Sequence, residues 1–435
     1  MYIIDEHITI EEEIKIAIKK CQNHNNGRIF SYTFSFGLKD LMPLISHSIN
    51  KQQCCIYWEQ KSPSITLAGL NKVSEINLSD YKDIDSFNNG IKKDLDNIIS
   101  ITNYKGIGPR FIGGHAFDID SKSDTIWRNF PRGRYVLPEC LATKTDDGTW
   151  ITISRKIYET DDYIDIYKEF SKTCKYYTKR LPITLSPIQF NSVDTFKDIP
   201  NKSDYLKTIS SIVKKINLGE IEKTVISRLH KISINENFSF LSALQILRSF
   251  YPQCTNYFFN FPQEEGIFFG STPERLIKKN KNILLTEALA GTAKRGNNIE
   301  EDCMLADRLF NSHKERKEHQ YVIDQIKLKL KSIYETINIS SNPYVLKLKN
   351  VQHLKTIIDI ETNKDYNILE LIKIMHPTPA VAGTPMDKAI DIIKSNELND
   401  RGWYSGPIGW IDENGNADIF VALRSALLIG MEAYI

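Results

Sequence analysis

The chain has 435 residues, 41% of them hydrophobic and 25% charged, with a formal net charge of +2. This is globular composition with ample length for a large core, held either in two domains or in one large α/β or α+β unit. Lysines and arginines alternate with acids instead of massing, so nothing in the charge pattern attracts nucleic acid or a membrane surface.

In chain order, the start MYIIDEHITIEEE is acidic and lacks the basic end and apolar run of a signal peptide. No stretch approaches the roughly 20 apolar residues of a transmembrane helix. The seven cysteines are scattered, and no CxxC pair occurs. They read as buried thiols of a reducing compartment, without a zinc site or a disulfide framework, and the expectation is a cytoplasmic protein. Turn-like breaks fall at 24–27 (HNNG), 87–90 (FNNG), 279–282 (KNKN) and 295–301 (RGNNIEE). The stretch 190–203, FNSVDTFKDIPNKS, reads as a seam between an N-terminal part (1–202) and a second part (203–435) that carries the distinctive chemistry.

The second part opens with a helix. Tyr205, Ile209, Ile212, Val213 and Ile216 repeat at helical spacing, and Gly219 is placed to end it. EKTVISR follows as a strand, with Lys223 on the same face as Val225, Ser227 and Leu229. An ammonium among apolar side chains is a snorkelling edge residue or a chemical tool, and desolvation there disfavours its charged form. A helix is predicted over 239–250. NYFFNF and GIFFG then read as strands, and RLIK and NILLT as hairpin arms around KNKN. One long helix is expected over 299–334, another over 385–396, and strands near 403–411 and 417–428.

Four constellations carry possible chemistry. GSTPE (270–274) resembles a helix capping box. The hairpin pattern after it favours instead a strand end whose carboxylate, Glu274, points into a cavity, where burial raises its pKa and suits a general acid. In SHKERKEHQYVIDQI, a charge run that also fits a solvated face, Glu315, Glu318, His319, Val322 and Ile326 share one helical stripe. Inward acids need a partner, and a hard divalent cation such as Mg²⁺ is a natural one. LAGTAKRG reads as a turn after a strand, either a plain loop or one presenting Gly291, Thr292 and their N–H groups to an anion. Finally, HPTPAVAGTP, DRGWYSGPIGW and FVALRSALL combine fixed turns with Tyr404 near the C-terminal sheet. Arg424, interrupting an apolar strand, requires an anionic partner, for which a carboxylate is the best fit. His353 in VQHLKT also fits a structural histidine. No GxGxxG or GxxxxGK[ST] pattern supports a nucleotide.

Together, EKTVISR, FFGSTPERL, LAGTAKRG, KEHQYVIDQI, VQHL, HPTPAVAGTP, DRGWYSGPIGW and FVALRSALL resemble the chorismate-utilising enzymes, and within them the isochorismate synthases. The resemblance is specific over about 203–435 and weaker before it, through GPRFIGGHAFDID and Trp127. It implies a single α/β unit of two large packed antiparallel sheets, with helices outside and the active site between them. It further implies a monomer that binds chorismate and requires Mg²⁺. Lys223 matches the general base that activates water, and Glu274 the general acid that protonates the departing 4-hydroxyl. Glu318 matches a Mg²⁺ ligand, with Glu315 supporting it. Gly291, Thr292, His353, Tyr404 and Arg424 match substrate-binding positions.

Ammonia-using relatives carry glutamine where this chain has Lys223. Aminodeoxychorismate synthases place a nucleophilic lysine where it has Ala290. Both differences imply water as the nucleophile, for a product feeding quinone (menaquinone or phylloquinone), siderophore or salicylate synthesis. A salicylate synthase, or an impaired chorismate-binding paralogue, is the alternative. In the family the strand ending RSALL leads to a helix that supplies a second Mg²⁺ glutamate. This sequence stops at GMEAYI, so that ligand is expected to be missing, and Asp418 does not align with it.

Overall fold

The computed structural model describes residues 7–22, 24, 26–121, 126–178, 195–234, 238–261, 266–331, 333–334, 337–340, 342–361 and 366–435. Within the expected breaks and seam, Asn25 and residues 190–194 lie outside this set.

The strand Thr255–Phe261 (TNYFFNF) shows what organises the molecule, because all seven of its residues are buried. A strand with one wet face alternates apolar and polar residues, whereas one covered on both faces is apolar throughout. Here Phe258 faces one core, with Tyr57, Phe269 and the helices His7–Lys19, Met42–Asn50, Tyr163–Thr178 and Phe240–Phe250. Its neighbours Tyr257 and Phe259 face a second core together with Trp58, Phe268, Trp403, Trp410 and Phe420. In the other sheet, Ile112 and Trp410 join that second core, while Phe111 and Ile411 face a third. The third core is closed by Ile84–Asp96, His313–Lys331, Ile368–Met375 and Met386–Asn396. Among the described residues the result is four layers: helices, a 12-stranded sheet, a 10-stranded sheet, and helices. This is the expected pair of large packed sheets with helices outside. Among the described residues, pairing is antiparallel except between Arg28–Ser35 and Ile98–Ile101.

Both sheets take strands from both parts of the chain. Thr255–Phe261 pairs with Cys55–Lys61, and Pro407–Asp412 pairs with Arg110–His115. Two chain segments also pass from one sheet to the other side by side. Gly266–Thr272 lies in the 12-stranded sheet, and its continuation Arg275–Asn280 lies in the 10-stranded one. Ala417–Val421 and Ser425–Ile429 make the opposite crossing, each paired with its counterpart. The two corners are laced together: Thr272 Oγ1 donates to the Val421 carbonyl at 2.6 Å, Val421 N–H to the Glu274 carbonyl at 2.9 Å, and Ser271 N–H to the Arg424 carbonyl at 3.2 Å. Glu274 sits at one corner and Arg424 at the other.

Several elements differ from expectation. The helix expected over 299–334 is two helices, Ile299–Asn311 and His313–Lys331. Ser312 separates them in an extended conformation, and its hydroxyl caps the second helix by accepting from Glu315 N–H at 3.3 Å. The first helix of the second part, Lys202–Asn217, ends at Gly219 (φ +75°) as expected. Of its stripe, Ile212 is buried, whereas Val213 is exposed. All seven cysteines are free thiols, and Cys303 is exposed instead of buried.

Candidate active site

Lys223 does not sit inside a long buried strand. The strand is two residues, Lys223–Thr224, paired only with Gly383–Thr384 of the HPTPAVAGTP segment. Gly383 (φ +138°) makes this approach possible, since a Cβ there would lie 2.1 Å from the Lys223 carbonyl. The side chain is half-buried, with 29% exposure, and its ammonium stands 3.9 Å from Glu318 Oε1. The desolvation expected from a buried strand face is therefore only partial, because the neighbouring loop captured the segment before a sheet did.

Glu274 is where the sequence placed it, at the end of an aromatic strand and without a helix. It is buried, and its Oε1 accepts from Thr378 Oγ1 at 3.0 Å. Burial raises its pKa to about 7; Thr378 and the nearby Lys223 ammonium oppose this and Glu287 adds to it. A carboxyl that is part protonated at neutral pH has the property a general acid needs.

Behind Glu274 lies a buried charge network. Arg275 binds Asp418 (Nε–Oδ1 2.7 Å) and Glu287 (Nη1–Oε1 2.5 Å), Lys355 binds Glu287 at 2.6 Å, and Gln60 donates to Asp418 at 3.0 Å. Asp418 is thus a structural partner of Arg275. Asp418→Ala would leave the buried Arg275 guanidinium with Glu287 as its remaining carboxylate and Gln60 without its acceptor, at an expected stability cost on the order of 3 kcal/mol. A drop in Tm and urea midpoint checks this.

Gly291 and Thr292 are not in a terminal turn. They form a β-bulge inside the strand Ile283–Lys294, at the register shift between Ala290 and Thr292 opposite His353. Gly291 takes φ +77°, and a Cβ there would press on Glu315 at 3.2 Å. The bulge turns Thr292 N–H onto Glu315 Oε2 at 3.1 Å, while Thr292 Oγ1 meets His353 Nδ1 at 2.9 Å. Burial and the Arg424 charge both lower the His353 pKa. His319, one residue beyond Glu318, is a packing residue: its ring lies between the Ala290 carbonyl and Thr356 Oγ1 at 3.2 and 2.7 Å.

Two expected features change here. Glu318 is 45% exposed, so the stripe it shares with buried His319, Val322 and Ile326 does not bury it. It stands in the second turn of the helix, next to buried His319. Arg424 is exposed, in a left-handed conformation (φ +51°) at its sheet-crossing corner, and not within a strand. Its Nη1 touches Cys254 Sγ at 3.7 Å and its guanidinium faces the Tyr251 ring. Among the described residues no carboxylate pairs with it.

Several of the candidates are linked by contacts. Lys223 reaches Glu318; Glu315, one turn earlier on that helix, reaches Thr292 and through it His353. Beside Arg424, Leu423 accepts from Tyr257 OH at 3.2 Å. The Tyr404 ring faces Arg401, which donates to the Val225 carbonyl at 2.7 Å, two residues from Lys223. Thr378, Glu397 and Arg401 were not singled out from sequence, although Thr378 lies in the quoted HPTPAVAGTP and Arg401 in DRGWYSG. A glutamate four residues before a motif arginine was the available signal.

Among the described residues no three His, Cys, Asp or Glu side chains are grouped to hold a metal. Glu315 and Glu318 are two hard oxygen donors three residues apart on one helix. That set fits Mg²⁺, which commonly takes one or two protein carboxylates and fills its octahedron with water and substrate oxygens. No helix among the described residues is long and apolar enough to cross a membrane.

The family profile for chorismate binding enzymes matches residues 16–435. Isochorismate synthase MenF of Bacillus subtilis is 28% identical over 433 residues, covering 98% of this chain and 91% of that protein. The salicylate biosynthesis isochorismate synthase of Pseudomonas aeruginosa is 36% identical over 228 residues, 52% of this chain and 47% of its own. Among solved structures, the menaquinone-specific isochorismate synthase MenF from Escherichia coli superposes with TM-score 0.77 at 23% identity, over 97% of this chain and 92% of that one. Anthranilate synthase component I from Streptococcus pneumoniae gives 0.72 at 20% identity, over 85% and 86%. The structural likenesses speak for the four-layer fold alone, whereas the profile spans nearly all of the sequence, and on that ground the chain belongs to the chorismate binding enzyme family.

Proposed function

We propose that this chain is an isochorismate synthase, a Mg²⁺-dependent isomerase acting on chorismate. The observation that carries the reading is that one segment, HPTPAVAGTP, holds both groups: Thr378 bonds the buried Glu274 carboxyl at 3.0 Å, and Gly383–Thr384 pairs with Lys223–Thr224. One group takes a proton and the other gives one, as a reaction that adds water at one carbon and expels it from another requires.

In the proposed reaction Lys223, as the neutral amine, takes a proton from water while the water oxygen bonds to ring carbon 2. The ring double bond shifts, the bond from carbon 4 to its hydroxyl breaks, and Glu274 gives that oxygen its proton. One water enters and one leaves, so substrate and product are isomers; solvent returns the proton from Lys223 to Glu274. Arg424, with no carboxylate partner among the described residues, and Tyr404 are assigned to a substrate carboxylate, and the Thr292–His353 pair to the ring side. Glu315 and Glu318 would hold Mg²⁺, which when bound supplies positive charge to a second substrate carboxylate. The working unit proposed is a cytoplasmic monomer, with a product for quinone, siderophore or salicylate synthesis.

Incubation with chorismate and Mg²⁺, followed by separation of products, tests this. Isochorismate is the expected product, and chelation of Mg²⁺ should abolish its formation, with recovery on adding the metal back. Salicylate formed without a lyase, or anthranilate formed with ammonia, would replace the assignment by a sister activity. Chorismate binding seen by calorimetry without any turnover would mark an impaired paralogue.

A further inference from the structure

The segment that carries Lys223 has little of its own to hold it. Its ladder is two residues long, extended by Glu222 N–H to the Thr384 carbonyl and Val225 N–H to the Ala382 carbonyl. Beyond Val225 no strand continues until Leu229. A short ladder with a half-buried side chain is a loose mount for a base, since catalytic groups need placement within a fraction of an ångström.

One buried ion pair spans this gap, beside the bond from Tyr205 OH to the Ile226 carbonyl at 3.1 Å. Arg401, on the turn after the helix Met386–Asn396, and Glu397 have side chains only 3% and 5% exposed. They meet in the bidentate manner, Nε to Oε2 at 2.9 Å and Nη2 to Oε1. The rest of the fork is used on backbone: Nη1 donates to the Val381 carbonyl at 2.8 Å and Nη2 to the Val225 carbonyl at 2.7 Å. Glu397 Oε1 in turn accepts from Ser227 N–H at 2.7 Å. The guanidinium plane lies over the Phe117 ring at 4.6 Å and faces Tyr404 at 5.9 Å. This one pair therefore grips the lysine's segment at 225 and 227, grips the HPTPAVAGTP segment at 381, and sits against a residue assigned to the substrate. HPTPAVAGTP also holds Glu274, through Thr378.

We infer that the Arg401–Glu397 pair positions Lys223, clamping its segment to the segment that orients Glu274 so that base and acid hold their separation. This rests on the proposed role of Lys223. Neither side chain is assigned contact with substrate, so both are positioning residues. Arginine is required over lysine because two backbone carbonyls and a carboxylate must be met at once from one planar fork.

The test separates positioning from stability. Buried ion pairs are often replaceable by apolar residues of similar volume without loss of stability, whereas removing one partner strands a charge. Arg401→Met with Glu397→Met should therefore fold, with Tm lowered only by the lost backbone bonds at Val225, Ser227 and Val381, yet kcat should fall about thirtyfold or more while KM stays within about threefold. Arg401→Lys keeps the charge opposite Glu397 but cannot span both carbonyls, so a small fall in Tm and a similar kcat loss are expected. If either variant folds and keeps kcat within threefold of the parent, the inference is wrong. If neither folds, the pair is a stability element and the positioning role falls. Lys223→Met, measured alongside, separates the two readings. Full activity in it defeats the base assignment itself, whereas an inactive Lys223→Met beside a fully active Arg401→Lys defeats only the clamp.

Discussion

Glu274→Gln is expected to lower kcat by about a hundred- to ten-thousandfold with little change in KM, the usual range for loss of a general acid. The amide is nearly isosteric and can still accept from Thr378, so the loss would report the missing proton and not a changed shape. With Lys223 required as the free amine and Glu274 as the protonated acid, parent kcat should trace a bell against pH, one limb of which is set by Glu274, whose value burial lifts to about 7. The variant's residual rate should lack this limb. A variant within tenfold of the parent, or one with the same limb, would assign the acid elsewhere.

The same carboxyl makes a prediction about stability whose sign is fixed by linkage. Its ordinary value is 4.5 and its folded value about 7. The unfolded chain therefore gives up this proton at lower pH than the folded chain does. Stability from this group is intact below about pH 4.5, declines between 4.5 and 7, and stays reduced above that. The gap corresponds to about 3 kcal/mol. Glu274→Gln escapes it, so the variant should melt above the parent at pH 8 and show no such advantage at pH 4. An inactive variant more stable than its parent is the pattern of a site strained for function.

How legible these residues were in the sequence depended on whether local pattern or tertiary position decided their setting. Glu274 was readable because its flanks, an aromatic strand and a hairpin, are local. The all-apolar run TNYFFNF likewise belongs in a strand covered on both faces, and it is found there. Arg424 was not readable, because FVALRSALL has the pattern of one continuous strand. Nothing in the alternation says that the chain leaves one sheet for another at Leu423 and Arg424, turning a buried position into an exposed corner. Glu318 failed for a different reason. Periodicity groups residues on one helix face but does not fix how much of that face is covered. His319 is buried against Ala290 and Thr356 and Glu318 beside it is not, although both lie in the second turn of the helix that starts at His313. Ser312–Glu315 has the capping-box spacing that would have placed that start. Lys223 lies between these cases: KTVISRL has the alternation of a strand, and only the path of HPTPAVAGTP, about 160 residues later, limits it to two paired residues.

Lys223→Met carries the second large effect. Methionine keeps the apolar stem and removes the amine, so the fold should survive and kcat should fall by about a hundred- to ten-thousandfold. Two further readouts distinguish a lost base from a lost contact. A small primary amine added to the assay should restore part of the rate if the missing function is proton transfer, and none of it if the lysine only braces Glu318. The second readout is at Glu274, because the Lys223 charge is one of the two influences that hold that carboxyl down against burial. With the charge gone, Glu274 should titrate higher than in the parent. The pH range over which the folded protein loses stability should therefore extend upward, and the descending limb of the residual rate should move the same way. Loss of turnover with the Glu274 limb unmoved would mean that lysine and carboxyl are too far apart in the working enzyme to act on one substrate. Loss with the limb raised would tie both groups to one site.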